Sequence, residues 1–185
     1  PSPQGNGNEY SIPSHNRARL PSGMNIATWL VPALLVADQT IKLMVLWAVG
    51  PRIFDDGVGA IFLTNLFWIV DATFIKNTGA AFGIFQGGAR ILVWVSLTVG
   101  IGILAYLSLN NRRTSRLTQL ALSLIAAGAL GNAIDRLGHG WVVDYVDINR
   151  TGISVLDNFP IWNLADACVV VGVLLLLLPQ RKRRY

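Results

Sequence analysis

The 185-residue sequence is poor in charge: Asp, Glu, Lys and Arg make up 14% of it, against about a quarter in ordinary soluble domains. Its single cysteine, Cys168, excludes an intrachain disulfide framework. There are two histidines, His15 and His139, and no HExxH, so a zinc metallopeptidase is excluded. No GxSxG occurs, and Ser96, Ser108 and Ser123 have no His or Lys nearby in sequence, which argues against serine catalysis. The Gly-rich run NTGAAFGIF fits neither a P-loop nor GxGxxG. The 18 glycines follow no strict period, which excludes collagen, and no longer repeat is visible.

What the chain has in quantity is apolar residues, 52% of the total, with a mean hydropathy of +0.49. This composition specifies an integral membrane protein. Residues 1–23 are polar and rich in Pro, Gly, Ser and Asn, and predict a disordered tail without the apolar core of a secretory signal. Met24, directly before the first apolar run, is a second candidate start. Four stretches approach the roughly 20 residues needed to span a bilayer: Ile26 to Val49, Ile91 to Leu109, Leu117 to Ile134 and Ile161 to Leu178. Trp29 and Trp47 lie 18 residues apart in the first, about 27 Å along a helix, as two interfacial aromatic belts require. The expected fold is therefore an all-α membrane protein of four transmembrane helices spanning residues 24–180, with a basic C-terminus at 181–185.

Charge sets the expected orientation. The tail, the loop between the second and third spans, and the C-terminus hold nine of the 15 basic residues and one acid, Glu9. Both termini are expected in the cytoplasm. The basic surplus then reports topology; no aromatic-interleaved basic patch suggests nucleic acid. Two outer segments remain, Gly50–Arg90 and Asp135–Pro160. The first carries β-favouring runs, AIFLTNLFWIV and ATFIKN, split by Asp71, and predicts a small β-rich cradle on the outer face.

Nine of the ten acids lie in the first span, the outer segments, or the outer turns of the third and fourth spans. An ionisable group within a span marks function or a buried pair. Asp38 and Lys42, at i and i+4, read as a structural ion pair. Asn132 and Asp135 share a helix face beside Arg136 in GALGNAIDR, fitting either polar packing or a binding surface. Asp144 in GWVVDYVD is expected on a loop that folds back over the fourth span. Asn163 and Asp166 sit at i and i+3 in WNLADACVVVG, with Asp166 about five residues inside the helix. No cation lies a turn away from Asp166, so its partner must come from another element. Carboxylates are thus the catalytic groups in supply. Two in one site cannot both ionise, so one activates water while the protonated other polarises the amide carbonyl. A small proton- or ion-coupled transporter is the rival reading, but transporters place acids near the midplane and often carry repeats.

The blocks DQTIK (38–42), KNTGAAFGIF (76–85), GALGNAIDR (128–136), VVDYVD (142–147) and WNLADA (162–167) occur in order, and together the chain resembles lipoprotein signal peptidase, signal peptidase II, an aspartyl endopeptidase of bacterial plasma (inner) membranes. The resemblance implies removal of the signal peptide from prolipoproteins, cut before the diacylglyceryl-modified cysteine. It implies Asp144 and Asp166 as the catalytic pair. Asn77, Gly79, Asn132, Arg136, Asn163 and Ala165 become substrate-binding or supporting residues, and Asp38, Lys42, Asp135, Gly128 and Gly131 structural ones. It further implies no metal or cofactor, membrane lipids as surroundings, globomycin-type inhibitors, and a monomer with its site near the outer face. The chain departs from the family pattern at Trp162, Ala127 and Tyr145, in a longer stretch between the two aspartates (NRTGISVLDN), and in its polar tail.

Overall fold

The computed structural model describes residues 25–50, 60–66, 68–79 and 89–179. The expected tail 1–23, Met24, the C-terminus 181–185 and most of the Gly-rich run after Gly79 lie outside the described residues. The elements are α1 (Ala27–Val49), β1 (Ala60–Leu66), β2 (Val70–Asn77), α2 (Ala89–Asn110), α3 (Arg116–His139), β3 (Val142–Ile148), α4 (Ser154–Asp157) and α5 (Leu164–Leu177).

Among the described residues, three helices, Ala27–Val49, Arg90–Asn110 and Arg116–His139, are long and apolar enough to cross a membrane. Trp29 and Trp47, at the two ends of α1, are both exposed, so the indoles are free to face lipid. The fourth apolar stretch is shorter than its sequence suggested. Its helix starts at Leu164 and runs 14 residues, about 21 Å, because Asn163 caps it and Trp162 is held in a bridge to Val146.

α3 is the hub, packing against α1, α2 and α5. Its small residues allow this. A methyl group at Gly128 would strike the Ala165 carbonyl oxygen, and one at Gly131 would lie 2.7 Å from Asp38 Oδ2. Ser115 starts the helix by accepting the Thr118 N–H at 3.0 Å, and Gly140, at φ 83°, ends it in the left-handed conformation glycine favours. Ala27, Val31, Leu107, Ala126 and Ala127 form one apolar core among α1, α2 and α3. A second, of Val45, Val49, Phe74 and Val143, fastens the end of α1 to the sheet.

The sheet is antiparallel in order β1-β2-β3, and it corrects two expectations. Asp71 does not split the β-favouring runs. It lies in β2, where it takes Arg150 and Asn149 as donors, and the chain turns through Trp68, at φ 71°. Asp144 is not on a loop but on β3, whose Val143 and Tyr145 point to the opposite face, into the second core. The longer stretch before α5 forms the short α4, clamped by Asp157, which accepts both the Thr151 N–H and hydroxyl at 2.7 Å.

Candidate active site

The sheet meets the ends of α3 and α5 around a cavity of about 930 Å³, into which Asn77, Gly79, Asn132, Arg136, Asp144 and Asp166 all face. Leu92 of α2, Val169 and Val170 of α5, and Leu156 and Phe159 add apolar lining.

Asp166 is the third residue of α5, closer to the helix start than expected. Asn163 and Asp166 form a reciprocal capping box: Asn163 Oδ1 accepts the Asp166 N–H at 2.9 Å, and the Asn163 N–H donates to Asp166 Oδ2 at 3.3 Å. Asp144 reaches the same place through strand register. Ile75 pairs with Asp144 and Asn77 with Val142, so Asn77 is the diagonal neighbour of Asp144 on one face of the sheet. Its Nδ2 donates to Asp144 Oδ2 at 2.8 Å.

Three asparagines surround the two acids with one logic. Each has its Oδ1 occupied from behind by a donor, so its amino group must point at a carboxylate. Asn77 Oδ1 accepts the Gly79 N–H at 3.0 Å. Asn163 Oδ1 is held by the Asp166 N–H, leaving its Nδ2 to donate to Asp144 Oδ1 at 2.6 Å. Asn132 Oδ1 accepts from Lys42 Nζ at 3.0 Å, and its Nδ2 donates to Asp166 Oδ1 at 2.7 Å. Asn163 Nδ2 also reaches Asn132 Oδ1, at 3.3 Å. All four carboxylate oxygens therefore have a donor. Burial still pushes the Asp144 carboxyl up to about 7; the nearby Asp166 charge adds to this, while the amide donors of Asn77 and Asn163 oppose it.

Behind the pair lies a buried charged knot. Asp38 and Lys42 make the expected ion pair at 2.9 Å, but Lys42 also pairs with Asp135 at 2.9 Å. Asp135 does not use its neighbour Arg136. It accepts the Val143 N–H at 3.0 Å and Gln39 Nε2 at 3.0 Å. Asp38 Oδ1 accepts the Ala165 N–H at 3.1 Å, so Ala165 supports the site through its backbone while its side chain packs against Gly131. Arg136 turns to the cavity and donates to the Gly79 carbonyl at 2.8 Å.

Sequence reasoning missed Gln39, which ties Asp38 to Asp135 and to the Gly131 carbonyl; its place beside Asp38 in DQTIK was the available signal. It also missed Tyr145, whose hydroxyl accepts the Leu164 N–H at the start of α5 at 3.2 Å, and whose phenol burial pushes up to about 12. Cys168 is buried, and His139 stacks on Trp141 with ring centroids 5.0 Å apart. Among the described residues no group of three His, Cys, Asp or Glu is placed to hold a metal ion.

Long apolar helices with an amide-locked pair of carboxylates, one buried and one half-buried, at one end define a class: a membrane-type helical protein with an acidic site where helix meets sheet. Residues 30–180 match the family model described as signal peptidase (SPase) II, and the chain belongs to that family. A lipoprotein signal peptidase of Microcystis aeruginosa is 43% identical over 106 residues, spanning 57% of this chain but 64% of that relative, just under two thirds. One of Burkholderia vietnamiensis is 36% identical over 168 residues, covering 88% of this chain and 93% of its own. A solved structure described as a bacterial membrane enzyme, obtained by the in meso method at 2.3 Å resolution, superposes with a TM-score of 0.64 at 26% identity, over 86% of this chain and 93% of that one.

Proposed function

We propose that this chain removes the signal peptide from prolipoproteins as an aspartyl endopeptidase, cutting before the diacylglyceryl-modified cysteine, with Asp144 and Asp166 as the catalytic pair. The observation that carries the reading is the pair itself: a buried Asp144 and a half-buried Asp166 from different elements, both facing one cavity, with every oxygen oriented by an amide donor.

The chemistry follows from that arrangement. Asp144, raised to about 7 by burial, keeps a substantial protonated fraction near neutral pH and is the member that enters the reaction as the acid. Asp166 acts as the base and takes a proton from water as the water oxygen attacks the scissile carbon. Asp144 donates to the carbonyl oxygen, giving a tetrahedral diol. As the C–N bond breaks, the proton on Asp166 passes to the leaving amine and one diol hydroxyl returns its proton to Asp144, which restores the pair and leaves the new carboxylic acid. Arg136, fixed by the Gly79 carbonyl, holds substrate carbonyls or headgroup oxygens with its remaining donors. The apolar wall along Leu92, Val169 and Val170 suits acyl chains that stay in the bilayer while the peptide bond reaches the acids.

In this reading α5 is a fourth span, extended at its ends by non-helical chain, both termini are cytoplasmic, the sheet lies on the outer face of the plasma membrane, and the enzyme works as a monomer that globomycin-type peptides inhibit. The acids stand where helix meets sheet, which favours hydrolysis over an ion-coupled transporter. The test uses purified protein and a diacylglyceryl-modified lipopeptide. Asp144→Asn and Asp166→Asn should each abolish cleavage while the protein still folds, and the unmodified peptide should be spared by the wild type. Cleavage by either variant would sink the assignment.

A further inference from the structure

Lys42 is 2% exposed, and an ammonium has three protons to give. They go to Asp38 Oδ2 at 2.9 Å, Asp135 Oδ2 at 2.9 Å and Asn132 Oδ1 at 3.0 Å. The first two contacts neutralise the lysine and brace the fold. Asp38 holds the Ala165 N–H and Asp135 the Val143 N–H, each one residue from a member of the acid pair. A structural ion pair needs nothing more. The third proton goes to the one side chain that, among the described residues, donates to Asp166 Oδ1.

That contact decides which way the Asn132 carboxamide faces. Reversed, its amino group would meet the Lys42 ammonium and its oxygen would meet the Asp166 carboxylate, so both contacts would be repulsive. Without Lys42, among the described residues only the 3.3 Å donation from Asn163 Nδ2 remains to hold the Asn132 oxygen, and Asn163 is already committed to Asp144 at 2.6 Å. We propose that Lys42 is a positioning residue for the reaction: acting through Asn132, it fixes the orientation in which Asp166 presents its oxygens to the attacking water. The proposal rests on the peptidase reading above.

The experiment is a double-mutant cycle on the full chain, with kcat and KM measured on the diacylglyceryl-modified lipopeptide. Lys42→Met, which fills the space without a donor, should lower kcat by about 100-fold, the scale of a misplaced catalytic group, with KM within about two-fold of wild type. Lys42→Gln, which keeps an N–H for Asn132 Oδ1, should recover at least about ten-fold of that loss. The Lys42→Met/Asn132→Ala double variant should be no slower than Asn132→Ala alone, because the lysine acts through a side chain already removed. Should Lys42→Met not accumulate as folded protein, Lys42→Met/Asp38→Asn, which removes one acid with the base, replaces it in the cycle and Asp38→Asn becomes the reference. Equal losses in Met and Gln variants, multiplicative effects with Asn132→Ala, or a rise in KM at unchanged kcat would overturn the proposal. A wild type that cleaves while the cycle is multiplicative refutes the Lys42 role alone; a wild type that does not cleave the lipopeptide removes the peptidase reading and this proposal with it.

Discussion

Asp144→Asn tests the electrostatics of the site independently of catalysis. The Asp144 carboxyl is 1% exposed and is raised from 3.8 to about 7 in the folded chain, so the folded state binds this proton more tightly than the unfolded state does. Below about pH 4 both states are protonated and the group contributes no pH dependence. As pH rises from there through about 7, the unfolded chain gives up the proton first, and stability falls. Each pKa unit corresponds to about 1.4 kcal/mol, so a shift from 3.8 to about 7 makes the native state at most about 4 kcal/mol less stable above pH 7 than below pH 4. A carboxamide at position 144 does not titrate. It also turns an amino group toward Asn77 or Asn163, whose amides are locked as donors, a mismatch that costs about 1–3 kcal/mol at every pH. The two effects separate by their pH dependence. Thermal unfolding of wild type and variant, scanned in the same detergent from pH 4 to 9, should show the variant gaining on the wild type with rising pH, by on the order of 10 °C across the range for a chain of this length. Parallel curves would show that burial does not hold the proton on Asp144.

Three further outcomes follow from the geometry. Arg136→Lys keeps the charge but loses the planar fork that binds Gly79 while leaving donors for substrate; cleavage should fall at unchanged expression, and wild-type turnover would make Arg136 a packing residue. Asp135→Asn offers one acceptor oxygen where Lys42, Gln39 and Val143 all donate, so it should lower stability by about 1–3 kcal/mol, read from thermal unfolding; if it folds normally but is inactive while Asp144→Asn still cleaves, the pair is Asp135 and Asp166. A cysteine at position 149 (Asn149→Cys), on the sheet side of the molecule, should react with an impermeant maleimide from the exoplasmic face of intact cells; labelling only from the cytoplasmic face would invert the topology.

The parts legible in the sequence are those that neighbours along the chain decide. Hydropathy over some twenty residues is enough to make α1, α2 and α3, because backbone polar groups in a bilayer must be satisfied within the segment. The Asp38–Lys42 pair is legible for the same reason, since one helical turn separates its members. Five blocks in order pointed to the family, which residues 30–180 match, and proposed Asp144 and Asp166 as its acids. What the local pattern did not carry is how those residues meet. That Asp144 lies on a strand rather than a loop depends on pairing with β2, from which the neighbouring Asn77 follows by register. That α5 begins at Leu164 depends on Asn163 capping it while Trp162 pairs with Val146. The orientation of each asparagine, and Lys42's reach from its own helix to Asn132, come from contacts between residues up to 90 positions apart. Helices form from periodicity, which is local; the acid pair forms from hydrogen bonds that exist only once four elements have packed, and so the tertiary structure alone decided it.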